Sequence, residues 1–400
     1  MLRNDNRFKW IPYIALLVVV LVALAVLVPS GHAGSVLPGG ASSRQASAFR
    51  ELPRGVSFDA ASGSVFHAHN SAGYATATRS GVRFMGAGGD ILFEHVFSLD
   101  NIHLYANQGY FAVYEPRGSD VHVFSPSGLL YHRQLGGQIL SASLNSSGAS
   151  AFVVRSGAVY ETLLFDRSGT PPPAASRIVH ADENVFPISA AVSEDGQTAV
   201  VAMLDVGGVN VRSRLVFYHL NEHAARYSEG IFARLQLDDE VAGQLKFFAD
   251  GSLAVFSDKS VRRISFTGGV VEESSALPLT NRLRSLVRTG GNGFAVILGD
   301  GLTTAESDRP GTVISYNNTL NERFRFNPDR NTTHIWANDT SVIIGAGRGI
   351  YAKTLDGRAL WTYNATQDFT QVIMLENRDT ILFAARTEAR VLRRVTGLGL

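Results

Sequence analysis

Beyond residue 55 the chain alternates short apolar runs with polar turns, without the 3.6-residue stripe of a helix. Runs dense in Val, Ile, Phe, Tyr and Thr are cut about every 8 to 12 residues by Gly, Asn, Asp or Ser. No long stretch holds a helical period, so the pattern predicts an all-β body. The turns come in two alternating kinds, which marks a repeat. One follows the opening strand of each unit, as in Leu144-Asn145-Ser146-Ser147-Gly148, Val192-Ser193-Glu194-Asp195-Gly196 and Phe248-Ala249-Asp250-Gly251. The other joins third and fourth strands, as in Phe124-Ser125-Pro126-Ser127-Gly128, Phe165-Asp166-Arg167-Ser168-Gly169 and Thr354-Leu355-Asp356-Gly357, where glycine supplies the positive φ a tight hairpin needs.

Equivalent turns recur at roughly 38 to 55 residues, the spacing of four-stranded propeller blades. The predicted units are 64–98, 101–137, 139–180, 186–237, 241–278, 281–328, 331–366 and three strands in 370–395. The expected fold is a β-propeller of eight blades, with seven the alternative because the first unit is the weakest repeat. The last unit lacks a fourth strand. The segment Gly55 to Asp59 is expected to supply it and close the ring, removing both free edges.

The N-terminus follows a different pattern. Ile11 to Val28 is an uncharged apolar run long enough to cross a bilayer as a helix, with Pro12 in its first turn and Trp10 and Tyr13 placed for the interface. Arg3, Arg7 and Lys9 precede it, whereas Pro29 to Ala48 holds one basic residue, Arg44. That bias predicts a cytoplasmic tail (1–9), a transmembrane helix (10–28), a flexible linker (29–54) rich in Gly, Ser, Ala and Pro, and an extracytoplasmic propeller domain (55–396). A cleaved signal peptide, with Gly31-His32-Ala33 as its recognition site, is the competing reading; the length of the apolar run favours an anchor.

Composition narrows the chemistry. Thirty-six basic against 35 acidic residues leave a formal charge of +1, so no global field draws the chain to nucleic acid. The absence of cysteine excludes disulfides, thiolate metal sites and cysteine nucleophiles.

The segment Lys353-Thr354-Leu355-Asp356-Gly357-Arg358-Ala359-Leu360-Trp361-Thr362-Tyr363 resembles the blade signature of quinoprotein-like (PQQ-like) propellers, in which an aromatic after an Asp-Gly turn packs between blades; Gly89-Asp90-Ile91-Leu92-Phe93 is a weaker copy. A short tail, one apolar helix, a linker and a ring carrying Gly109-Tyr110-Phe111-Ala112-Val113, Val121-His122-Val123-Phe124-Ser125-Pro126-Ser127-Gly128 and Ile139-Leu140-Ser141-Ala142-Ser143-Leu144-Asn145 look like an uncharacterised family of membrane-anchored β-propeller proteins from Gram-positive bacteria, a domain of unknown function with quinoprotein-like and WD-repeat-like blades. The likeness spans nearly the whole chain and implies location and fold, but no activity. Most other blades lack the signature Trp, and no run of quinone-stacking or metal-binding residues can be matched, so quinone-dependent dehydrogenation is not expected.

No complete catalytic or cofactor motif is present, and no catalytic residue, metal or cofactor is assigned. Val342-Ile343-Ile344-Gly345-Ala346-Gly347-Arg348-Gly349-Ile350 misplaces the third glycine of a dinucleotide fingerprint and precedes a strand. His67 and His69 share a strand face but lack further ligands. Arg282 and Arg284 share a face near Arg288, readable as an anion clasp or, more simply, a charged channel wall. The triplets beginning at Asn145, Asn317, Asn331, Asn338 and Asn364 read as turn residues, not glycan sites.

Two long insertions, Leu204 to Arg214 and Gly299 to Gly311, fall between second and third strands, where binding loops emerge. Asp205, Arg212, Arg214, Asp300, Glu306, Asp308 and Arg309 are the expected partner-contacting residues. The expected function is a non-enzymatic binding or scaffold module at the outer face of the cell membrane, engaging an envelope protein or wall polymer. The alternative is an exported hydrolase, lyase or quinone-linked oxidoreductase with its site at the channel mouth.

Overall fold

The computed structural model describes residues 47–52, 56–57, 64–70, 73–267, 270–299, 311–375 and 377–395. They form eight antiparallel sheets, each a blade, at 65–96, 103–134, 138–180, 185–238, 242–278, 282–326, 332–364 and 371–394. Within a blade the strands follow chain order from the axis outward. The innermost strands are Val65–Asn70, His103–Asn107, Gln138–Leu144, Val185–Val192, Ala242–Phe247, Arg282–Arg288, Thr332–Ala337 and Gln371–Met374. Neighbouring innermost strands touch in succession around the ring except between blades 5 and 6, which meet through Ala254, Phe256, Phe294 and Val296; the last, Gln371–Met374, touches the first, Val65–Asn70, so the ring is closed with eight blades.

The closure differs in detail from the sequence reading. Val56–Ser57 does pair with the end strand Glu388–Arg394, Val56 opposite Ala389. An earlier piece, Phe49–Glu51, extends the same edge with Phe49 opposite Arg394, so the ring takes up the chain ahead of Gly55. The Phe49 ring supplies the reason: it lies 5.1 Å from Trp361 and 4.9 Å from Tyr363, filling the outer end of the seam between blades 7 and 8. Neither residue range 10–28 nor most of 29–54 falls within the described residues; among those that do, no helix is long and apolar enough to cross a membrane.

The core is a series of seams between blades. Second and third strands alternate so that one set of side chains faces the preceding blade and the other the next. Between blades 1 and 2, Ala75, Val82 and Phe84 meet Phe111, Val113 and Phe124, all buried. Between blades 7 and 8, Trp361 meets Val372, Ile381 and Phe383, and its indole Nε1 donates to Arg378 O at 2.6 Å. Burial of each such ring contributes about 2 to 3 kcal/mol.

Turns of both predicted kinds form. Asn145 Oδ1 accepts from the N–H groups of Ser147 (3.0 Å) and Ala149 (2.8 Å), and Asp166 Oδ1 accepts from those of Ser168 and Thr170, both at 2.8 Å. Asn317 and Asn338 cap their turns in the same way. The glycine of the third-to-fourth turn has a second role that no local rule shows. A Cβ on Gly169 would stand 2.6 Å from the Tyr131 ring of the preceding blade, one on Gly357 2.5 Å from Phe324 Cβ, and one on Gly128 3.3 Å from Phe93. Each turn is seated on an aromatic of the neighbouring fourth strand.

Strand direction fixes two faces. Turns joining first to second and third to fourth strands share one, the turn face; connections between second and third strands, and between blades, share the other, the loop face.

Candidate functional site

Three of the expected partner-contacting residues lie together on the loop face of blade 4. Thr198–Asp205 and Arg212–His219 pair in full register, Asp205 opposite Arg212 and Met203 opposite Arg214. The predicted insertion is therefore mostly an extension of the hairpin, with Val206 to Val211 as its loop. Asp205 is only 3% exposed. Its Oδ1 accepts from Gly207 N–H at 3.0 Å, and its Oδ2 accepts from Arg214 Nη2 at 2.5 Å with Arg212 Nε 4.0 Å away. The Gly207 N–H and the two guanidiniums hold the Asp205 carboxyl below its usual range. The carboxylate is sunk beneath the hairpin while the arginine heads remain over a third exposed, so a visitor meets cations. Asp300, Glu306, Asp308 and Arg309 lie outside the described residues.

The same face carries a cleft of about 770 Å³ between blades 2 and 3, lined by Arg117, Gln134, Gln138, Arg155 and the backbone of Gly118, Gly136, Gly137 and Gly157. Arg117 adopts φ +65° and its N–H donates to Ile139 O at 3.0 Å, which locks the loop across the seam. The lining holds two guanidiniums and no carboxylate.

At the turn face the channel is bridged. Arg288 Nη1 donates to Glu194 Oε1 of blade 4 at 2.5 Å and to Asn107 Oδ1 of blade 2 at 3.2 Å, while its Nε donates to Gly290 O. Glu194 also accepts from Ser146 N–H at 2.7 Å and from the Ser146 hydroxyl. Tyr105, raised to about 12 mainly by burial, and Lys246, lowered to about 8 by burial and by Arg288, stand beside the bridge. The three arginines singled out from sequence do not converge: Arg284 Nη1 donates to Asn331 Oδ1 toward the loop face, about 13 Å along the strand from Arg288. A bulge between Leu283 and Ser285 also breaks their alternation.

Side chains near the axis sew adjacent blades together. His67 Nε2 lies 2.7 Å from Gln108 O, which commits that histidine to a seam; the His69 side chain lies outside the described residues. Asn107 Nδ2 donates to Leu144 O, Asn145 Nδ2 to Ser193 O and Gln371 Nε2 to Phe66 O. Farther out, His95 Nε2 is 3.3 Å from His122 Nδ1, and the His122 and His132 rings stack at 4.3 Å. Burial and the His132 charge lower His122 to about 4. Among the described residues no group of three or more acidic or histidine side chains is arranged to hold a metal ion.

A family model described as a family of unknown function, DUF5711, matches residues 60–393. The chain belongs to this family. The DUF5711 match takes in all eight blades and leaves out the closing piece Phe49–Glu51. No curated protein matches the chain. Among solved structures, BamB from Moraxella catarrhalis is similar over 86% of this chain and all of its own, with a TM-score of 0.50 and 12% identity. BBS1N, solved in complex with ARL6DN, is similar over 89% of this chain and 98% of its own, with a TM-score of 0.42 and 13% identity. At such identities the BamB likeness is one of fold. Of the residues around the DUF5711 channel, Asn107, Glu194 and Lys246 carry no linear motif. Their only signal is position, at or beside the turn that ends an innermost strand, and it becomes readable once the eight repeats are aligned.

Proposed function

We propose that this protein is a membrane-anchored, extracytoplasmic binding module of the cell envelope that engages an envelope protein or wall polymer through its loop face. The observation that carries the reading is the direction of the closing strand. Phe49 pairs at the Arg394 end and Val56 at the Ala389 end, so the chain enters the ring at the turn face and runs toward the loop face. A tether from the apolar run 11–28 would therefore attach at the turn face, on the side of the disc opposite the Arg117–Arg155 cleft and the Asp205 hairpin, which leaves that loop face accessible. The Arg288 bridge fits this arrangement, since its charged groups are committed to one another at the turn face.

Site-specific photocrosslinking of the full-length protein in its native envelope tests the proposal. Probes at Gln134 and Asn210 on the loop face are expected to capture the same specific neighbour, whereas a probe at Asp195 on the turn face captures none. Capture from Asp195 alone, or turnover of a small molecule by the purified protein without any captured neighbour, would overturn it.

A further inference from the structure

The eight innermost strands contain Lys246, Arg282, Arg284 and Arg288 and not one Asp or Glu, although the whole chain is nearly neutral. Glu194, in a first-to-second-strand turn, is the carboxylate that reaches Arg288. A low-dielectric tube lined by one sign of charge concentrates the opposite sign within it. The positive excess has a focus. Arg288 donates through Nη1 and Nε, and its Nη2 makes no hydrogen bond among the described residues. Lys246, half-buried on the adjoining strand, makes neither a hydrogen bond nor an ion pair among the described residues. Lys246 and Arg288 both stand near the turn-face ends of innermost strands in neighbouring blades, and Glu194 is bonded to Arg288, so the Lys246 charge has no paired carboxylate among the described residues, a costly arrangement away from bulk water.

We propose that the central channel is an anion site in which Lys246 and Arg288 take one small oxyanion, a phosphate or a carboxylate, with the Tyr105 hydroxyl as a further donor. Arg288 is already oriented by Glu194 and Asn107, so its free edge is presented at little entropic cost. The ammonium, a mobile point charge, closes on the anion from the neighbouring blade. The anion enters from the loop face, because the Arg288–Glu194–Asn107 bridge spans the other end.

Calorimetric titration of the full-length protein with inorganic phosphate, and in a second arm with sodium acetate, tests this at ionic strength held constant with sodium chloride. Saturable binding of one equivalent is expected in at least one arm, and the arm with the higher affinity identifies the oxyanion. Lys246→Met is expected to weaken binding at least tenfold, and Arg226→Met, an exposed cation of blade 4, to leave it unchanged. Without added anion, Lys246→Met should melt no lower than the parent protein, since an unpaired charge has been removed. A second readout needs no variant: the Lys246 ammonium resonance should titrate at higher pH once phosphate or acetate is bound. Heats that survive Lys246→Met, absence of saturation in both arms, or a lysine titration indifferent to both anions would overturn the proposal.

Discussion

Arg288 Nη1 and Asn107 Oδ1 meet 3.2 Å apart although 181 residues separate them in sequence. Their blades, the sixth and the second of eight, stand opposite each other across the ring, so the bond runs over the axis. The contact requires both closure of the ring and the correct blade count.

Removing the arginine of this bridge should therefore loosen the whole disc. Arg288 and Glu194 are 12% and 16% exposed, and truncating one partner of a mostly buried ion pair costs about 3 kcal/mol because the other charge is stranded. Arg288→Met is expected to lower the urea midpoint, and adding Glu194→Gln to restore part of it. Equal midpoints for Arg288→Met and the parent protein would show the bridge to be inert.

The seated turn glycines predict a graded pair of substitutions. Gly251 has φ +82° with nothing within 4 Å of an added Cβ, so Gly251→Ala should cost only the backbone strain, about 1 kcal/mol. Gly357 has φ +84° and an added Cβ would strike Phe324, so Gly357→Ala should cost about 1 to 3 kcal/mol more. Thermal denaturation of both variants gives the difference, and similar losses would contradict the seating.

Acid should destabilise the protein in two steps. His122, His180 and His334 are lowered to about 4, each chiefly by burial, from an ordinary value near 6.5. Their neutral forms are the ones the fold holds. Below about pH 6.5 the unfolded chain takes up protons that the folded chain refuses, so stability falls as pH drops toward 4 and levels off below it. The Asp250 carboxyl, brought to about 2 by Ser252, Arg263 and Asn318 against the opposing effect of burial, supplies the second step in the same direction, here because the fold favours its charged form. Its contribution is present above about pH 4 and disappears as pH falls through 2. His122→Phe should flatten the first step, and a denaturation midpoint constant from pH 7.5 to 4.5 would refute it.

The closing strand should matter out of proportion to its length. A chain beginning at residue 53 lacks Phe49–Glu51 and leaves the outer edge of the last strand bare at Leu392–Arg394. It is expected to melt lower and self-associate through that edge, whereas a chain beginning at residue 47 should remain monodisperse on size exclusion.

Much of the ring was legible in the residues. The repeating turns Phe165-Asp166-Arg167-Ser168-Gly169 and Thr354-Leu355-Asp356-Gly357 mark hairpins because Asx capping and positive-φ glycine are local chemistry, complete within five residues. The role of Phe49 was hidden because its partners, Trp361 and Tyr363, lie more than 300 residues away and its own neighbourhood looks like linker. The Asp205 hairpin was visible as an excess of length, but not as a paired extension with a sunken carboxylate, since which charges meet depends on strand register. Lys246 gave no signal beyond its position in the repeat, because a lone lysine in a strand is ordinary until the strand is known to line an axis.

By itself the sequence determined the periodicity: repeating β units with their two kinds of turn, an apolar N-terminal run and no cysteine, while the count of eight over seven waited for the closed ring. The tertiary structure decided which of those units closes on which, and so brought Arg288 to Asn107, Phe49 to Trp361 and Lys246 beside an arginine. Long-range contacts depend on where a chain returns to itself, and that is set by the summed fit of all eight seams, not by any local run of residues.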